Sequence, residues 1–101
     1  MRAIHLVHLD KIRPAVILTR EQVRPHLKNV TVAPITSTIR GLHTEIAVGP
    51  DNGLDHDSAI SLDNITTIPT TALGRRIGYL LPHQEKALAD AISFAFDLED
   101  D

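Results

Sequence analysis

The sequence predicts a mostly β domain with one carboxy-terminal helix: an SH3-like open barrel of five to seven mainly antiparallel strands. Three observations carry this expectation. Short runs rich in Val, Ile and Thr recur between turn signals, only the segment after Pro82 shows helical spacing, and 101 residues that are 43 % apolar suffice for one small core. The chain is taken as one domain over residues 1–101, without repeat or linker.

Ala3 to Leu9 (AIHLVHL) reads as a strand bearing His5 and His8, taken as same-face neighbours, and Asp10 and Lys11 make the turn after it. Pro14 follows Arg13 at the start of the next strand, where a missing N–H costs least. The unbroken AVILT behind it predicts a strand buried on both faces. Arg20 to Asn29 is polar and holds Pro25, which allows at most a short helical turn before that proline. VTVAPITST (Val30 to Thr38) alternates as a strand and ends in hydroxyl residues, and Ser37 to Leu42 reads as a loop.

Thr44 to Val48 predicts a further strand, and Pro-Asp-Asn-Gly at 50–53 a strong turn. SAISLDN and ITTIP supply a strand and a second short one, ended by Pro69. Gly74 and Gly78 argue against a helix in Ala72 to Leu80, which is read as a strand. Pro82 suits a first helical position, and Leu88, Ala91, Ile92, Ala95 and Phe96 share one face, so a helix is expected from Pro82 to Asp97, followed by an acidic tail.

Composition removes several chemistries. The chain has no cysteine, hence no disulfide, thiolate zinc site or cysteine nucleophile. Its three aromatics, Tyr79, Phe94 and Phe96, are too few for a base-stacking platform of the OB or RRM kind. No signal core and no run of about 18 apolar residues is present, so a soluble, cytoplasmic protein away from membranes is expected. Residues 1–50 hold seven Lys/Arg against three Asp/Glu, a balance of +4; residues 51–101 hold three against ten, a balance of −7. The basic half, with Arg13, Arg20, Arg24, Lys28 and Arg40, can supply a phosphate-binding face.

Within that half, two apolar strands carry polar residues out of pattern. Arg13 opens one and Thr36, Ser37 and Thr38 close the other; if the strands are neighbours, a fixed cation stands beside hydroxyls. Arginine keeps its proton in proteins, so Arg13 is no general base, but its guanidinium fork can hold two phosphate oxygens and stabilise the charge of a phosphorane. Thr36 can donate to a non-bridging oxygen or help protonate a departing 5′ oxygen. Such a pair suits RNA cleavage by its own 2′-OH, without a metal or cofactor. Arginine at a strand start and Thr-Ser at a strand end are also ordinary edge residues.

The order RPAVIL, APITS, Thr44-Glu45-Ile46, the GL and DS around Gly53 to Ser58, ISLDNITTI, the LG..IG segment at Leu73 to Gly78 and a terminal helix resembles the MazF/PemK family of toxin endoribonucleases over nearly the whole chain. The resemblance implies a toxin of a type II toxin–antitoxin system that cuts single-stranded RNA at short sequences, leaving 2′,3′-cyclic phosphate and 5′-OH ends. It implies a homodimer and a MazE-like antitoxin whose acidic carboxy-terminal segment covers the RNA groove. It assigns Arg13 and Thr36 as catalytic. The Arg-Gly-Asp start and the long loop before Arg-Pro are replaced here by Arg2 to His5 and His8 to Ile12, which is closest to the short-loop actinobacterial branch.

Ser37, Thr38 and Arg40 are the preferred RNA contacts, with His8 and Lys11 at the shortened loop and His43 near the Ser37 to Leu42 loop. Asp63 and Asn64 fall where the family carries an acid or amide pair able to read base edges. His26, His56 and His83 read as loop or cap residues. With no H-x-E or H-x₃-H spacing on a helix, no metal site is expected. Two rival classes are a CcdB-like gyrase-inhibiting toxin, whose tryptophan-bearing tail this chain lacks, and a non-catalytic SH3-like binding module.

Overall fold

A computed structural model of the chain describes residues 2–98, so the acidic tail at 99–101 lies outside the described residues. Seven strands and one long helix are described: β1 (Ala3–His8), β2 (Ile12–Ile17), β3 (Asn29–Thr36), β4 (Glu45–Val48), β5 (Ser58–Ser61), β6 (Thr66–Pro69), β7 (Leu73–Tyr79) and α1 (Pro82–Ala95). They form one antiparallel sheet in the order β4-β5-β3-β2-β1-β7, with β6 also on β3. This is the expected half-barrel with a terminal helix.

The run AVILT is buried on both faces over Ala15 to Ile17, where β2 ends; Leu18 and Thr19 lie beyond the strand and are half-buried. Along β2, alternation sends Ala15 and Ile17 to one face and Val16 to the other, and all three are buried. Val16 joins Ile4, Ala33, Ile60, Leu62 and Leu80 in the core beneath α1, which contributes Leu88 and Ala91. Ala15 and Ile17 join Val7, Val30, Val32 and Ile68 in a second core on the opposite face. Both cores are aliphatic, and truncating a residue such as Leu88 to alanine would cost about 2–5 kcal/mol.

β3 is the hub because one of its edges serves two partners. Residues Asn29 to Val32 pair with β6 and Ile35 and Thr36 pair with β5, leaving a gap at Ala33 and Pro34. A proline cannot donate to a ladder, and here the chain between β5 and β6 leaves the sheet as a 3₁₀ turn, Leu62–Asn64. Asp63 and Asn64, expected in a strand, therefore stand on that turn.

Other boundaries also differ from expectation. The strand expected from Thr44 begins at Glu45, and the one expected over Ala72 to Leu80 spans Leu73–Tyr79. The turn expected before Pro25 is a 3₁₀ turn at Arg24–His26 that takes in the proline near its start, where no N–H is required. The helix stops at Ala95 rather than Asp97, because Asp97 adopts φ +54, and Phe96 is 56 % exposed instead of packing with Leu88.

The opening of the barrel is bridged by the turn after β4. A 3₁₀ turn at Pro50–Asn52 ends on Gly53, at φ +86, and this glycine lies directly against the backbone of Ile77 and Gly78. A side chain at Gly53 would collide with the Ile77 carbonyl, and one at Gly78 with the Asn52 carbonyl. The two glycines that argue against a helix in β7 thus include one that lets the turn close over it.

Candidate active site

Arg13 and Thr36 are brought together by strand register. β2 and β3 pair Ile17 with Val32, Val16 with Ala33 and Ala15 with Pro34, and the same register continued by two residues sets Arg13 across from Thr36. Cross-strand partners project to the same face, so guanidinium and hydroxyl share one rim. Arg13 is exposed and Thr36 half-buried, which leaves both open to a ligand while the apolar strand behind them is fixed in the cores.

The hydroxyl of Thr36 is oriented. Its Oγ1 accepts the backbone N–H of Thr38 at 3.1 Å, which engages one lone pair and leaves the O–H available as a donor. Arg13 and Thr36 border two grooves. The first, of about 580 Å³, runs past Lys11, Ser37 and Thr38 to the turn residues Asp55 and His56 and to Arg75 on β7. Among the described residues its cations are Lys11, Arg13 and Arg75, against one carboxylate, Asp55. That balance favours a polyanion.

The second groove, of about 470 Å³, lies on the other side of the pair and holds Arg40, Asp63 and Asn64. Glu45 shapes it: one carboxylate oxygen accepts the backbone N–H groups of Arg40 at 3.0 Å and Leu42 at 3.2 Å, which pins the loop after Thr36 to β4. Thr44 donates its hydroxyl to Asp63 at 2.6 Å and Asn64 donates its amide to Ser61 at 2.8 Å. The acid and amide are thereby held at the wall of the groove that Arg13 borders.

This geometry, a fixed cation and an oriented hydroxyl between two open grooves, suits an extended phosphodiester. The family model described as the PemK-like, MazF-like toxin of type II toxin–antitoxin systems matches residues 5–96. The endoribonuclease MazF3 of Mycobacterium tuberculosis is 64 % identical over 99 residues, 98 % of this chain and 96 % of that protein. The chain belongs to the PemK/MazF toxin family. The solved structure of M. tuberculosis toxin MazF-mt6, 63 % identical, superposes with a TM-score of 0.95 over 98 % of this chain and all of that one. A mycobacterial endoribonuclease in complex with its cognate antitoxin shares the fold at 24 % identity, with a TM-score of 0.87 over 98 % of this chain and 95 % of that one. As a PemK/MazF member, the chain is a toxin endoribonuclease of a toxin–antitoxin system.

Of the residues singled out in the sequence, Lys11, Arg13, Thr36, Ser37, Thr38, Arg40, Asp63 and Asn64 line one or both grooves. His8 and His43 line neither. His43 packs its ring on Phe94 of α1, with centroids 5.4 Å apart. His5 and His8 are not same-face neighbours, since an odd separation on a strand places them on opposite faces, yet both approach Gly74, His5 through a 3.0 Å bond between Nδ1 and the Gly74 carbonyl. Register shifts between β1 and β7 at this point allow the convergence.

The expected basic face also divides. Arg20 and Arg24 line a separate hollow with Arg2, away from the Arg13–Thr36 rim. In their place the PemK/MazF groove recruits Arg75 from the acidic half of the chain, together with Asp55 and His56. On β7 Arg75 alternates with Gly74 and Arg76, so it shares a face with Ile77, which lines the same groove. His56 gave no local signal, because only the docking of its turn on β7 brings it there. Among the described residues, no helix is long and apolar enough to cross a membrane, and no three His, Cys, Asp or Glu side chains are grouped as metal ligands.

Proposed function

We propose that this toxin cleaves single-stranded RNA at short sequences by attack of the 2′-OH on the adjacent phosphorus, giving 2′,3′-cyclic phosphate and 5′-OH ends without a metal ion. The observation that carries the reading is that Arg13 and Thr36, just beyond the last pair of the β2–β3 ladder, border the same two grooves. Arg13 binds two phosphate oxygens through its fork and stabilises the charge gained in the phosphorane; a single preorganised donor of this kind is worth about 10²–10³ in rate. Thr36, with its oxygen engaged by Thr38, donates its hydroxyl to a non-bridging or departing oxygen. Arg40, Ser37, Thr38, Asp63 and Asn64 position the flanking nucleotides and select bases.

The protein acts as a homodimer in the cytoplasm, and RNA cleavage there arrests translation and growth. An antitoxin with an acidic segment competes for the same cationic groove, where Lys11, Arg13 and Arg75 attract a polyanion of either kind. The test is incubation of the purified protein with a long RNA in EDTA, followed by end mapping. The reading requires 5′-OH products that disappear in Arg13→Ala and Thr36→Ala variants of unchanged melting temperature. Products with 5′-phosphate ends, or cleavage that returns only with added divalent metal, would sink it.

A further inference from the structure

An attack by the 2′-OH needs a group to take its proton, and neither Arg13 nor Thr36 can. We infer that His56 is the general base of the cleavage, an inference that rests on the Arg13–Thr36 reading above. Histidine is the side chain suited to exchanging protons near neutrality. The other five histidines stand elsewhere among the described residues: His5 is bonded to Gly74, His8 lies against Gly74, His43 is packed on Phe94, and His26 and His83 line neither groove that contains Arg13. His56 alone shares a groove with Arg13 and Thr36.

Its placement is built from both sides. On one, Gly53 is locked against Ile77 and Gly78, and Leu54 is sunk into the core below α1. On the other, Ser58 is buried, pairs across to Val48, and donates its hydroxyl to the His56 carbonyl at 3.1 Å. Between these anchors only Asp55, His56 and Asp57 are free to project. Asp57 turns back toward Gly49, while Asp55 and His56 line the groove. The charged groups that border the imidazole's groove are Asp55 on its own turn, Lys11 ahead of β2, Arg13 on β2 and Arg75 on β7.

The neutral imidazole takes the 2′-OH proton as the 2′-oxygen bonds to phosphorus. The bond from phosphorus to the 5′-oxygen breaks, and that oxygen takes a proton from water in the open groove. The imidazolium then returns its proton to solvent, so a diester becomes a cyclic diester plus an alcohol with no net change in protons. Because the base works in its neutral form, the rate must climb with pH as the imidazole loses its charge.

The experiment is single-turnover cleavage by the full chain between about pH 5 and 8, the range in which histidine changes charge, using wild type, His56→Gln, His56→Ala, Asp55→Asn and Arg13→Ala. Affinity is read in parallel on an RNA with a 2′-deoxy nucleotide at the scissile position. The His56 variants are expected to lose about 10²–10⁴ in rate, to lose the rising acidic limb, and to bind the deoxy RNA as wild type does; added imidazole should partly restore His56→Ala. A rate and acidic limb retained in His56→Gln overturn the inference, as does loss of the limb in Asp55→Asn with His56→Gln unaffected. Cleavage that survives Arg13→Ala sinks the underlying site instead, whatever the His56 variants do.

Discussion

The carboxamides of Asn52 and Gln84 face each other in the interior and exchange two hydrogen bonds, at 2.6 and 3.2 Å. Both are buried, and the pair collects four backbone groups around it: Asn52 accepts from Gly49 N–H and donates to the Tyr79 carbonyl, while Gln84 accepts from Leu81 N–H and donates to the Ala47 carbonyl. One polar knot therefore ties the turn after β4, the end of β7 and the first turn of α1. The groove wall at Asp55 and His56 hangs from that turn.

Breaking the knot should cost stability out of proportion to the atoms removed. Asn52→Ala takes the partner from the Gly49 N–H and removes two of the four hydrogen bonds of the Gln84 carboxamide, and an unpaired buried group costs about 1–3 kcal/mol. For a domain of this size 1 kcal/mol moves the melting temperature by about 4–8 °C. Thermal unfolding of Asn52→Ala is expected to fall on the order of 10 °C; a drop within the error of the wild-type curve would show that the amide pair is dispensable.

The glycine contact above it makes a sharper contrast. Gly53 and Gly41 both have positive φ, at +86 and +72, so alanine carries a similar backbone penalty at each, about 1–2 kcal/mol. Only Gly53 has a neighbour in the way, the Ile77 carbonyl; Gly41 has nothing within 4 Å. Gly41→Ala should fold with a modest loss, whereas Gly53→Ala should fail to accumulate as folded protein or melt far lower. Equal melting temperatures for the two would refute the packing of this turn on β7.

How far the site was legible follows from how local each part of it is. Arg13 and Thr36 stand out because they interrupt apolar runs, and their pairing needs only the adjacency of consecutive strands. The doubly buried β2 and the helix after Pro82 follow from periodicity for the same reason. Asp63 and Asn64 are assigned to a strand because LDN continues an apolar run, and nothing local says that Pro34, on a different strand, lies where the ladder breaks. His56 and Arg75 are still less visible, since they meet through the Gly53–Gly78 contact between segments about 25 positions apart in the chain. The division of charge by halves also hides Arg75, a cation within the acidic half.

Salt dependence separates the groove cations from the remaining arginines. Arg75 borders the Arg13–Thr36 groove and Arg20 does not. Each phosphate neutralised on a single strand contributes about 0.7 to the slope of log affinity against log salt. Arg75→Ala is expected to reduce that slope by about one such contact and Arg20→Ala to leave it unchanged, both measured by titrating fluorescent RNA with a 2′-deoxy scissile nucleotide. The opposite ranking would move the RNA path to the hollow around Arg2.

Thr36 allows the role of a hydroxyl to be separated from that of shape. Valine is nearly isosteric with threonine and would keep the β-branched packing next to Ile35, but it can neither accept the Thr38 N–H nor donate to a phosphate oxygen. Serine keeps both functions and loses only a methyl group. If Thr36 acts by donating its O–H, cleavage should rank wild type, then Thr36→Ser within about tenfold, then Thr36→Val lower by about 10²–10³, the range for one transition-state donor. The loop after Thr36 is still held by Glu45 through the N–H groups of Arg40 and Leu42, so Thr36→Val should bind RNA nearly as well as wild type. A Thr36→Val enzyme as fast as Thr36→Ser would mean that the residue serves packing alone, and the transition-state charge would then rest on Arg13 and Arg75.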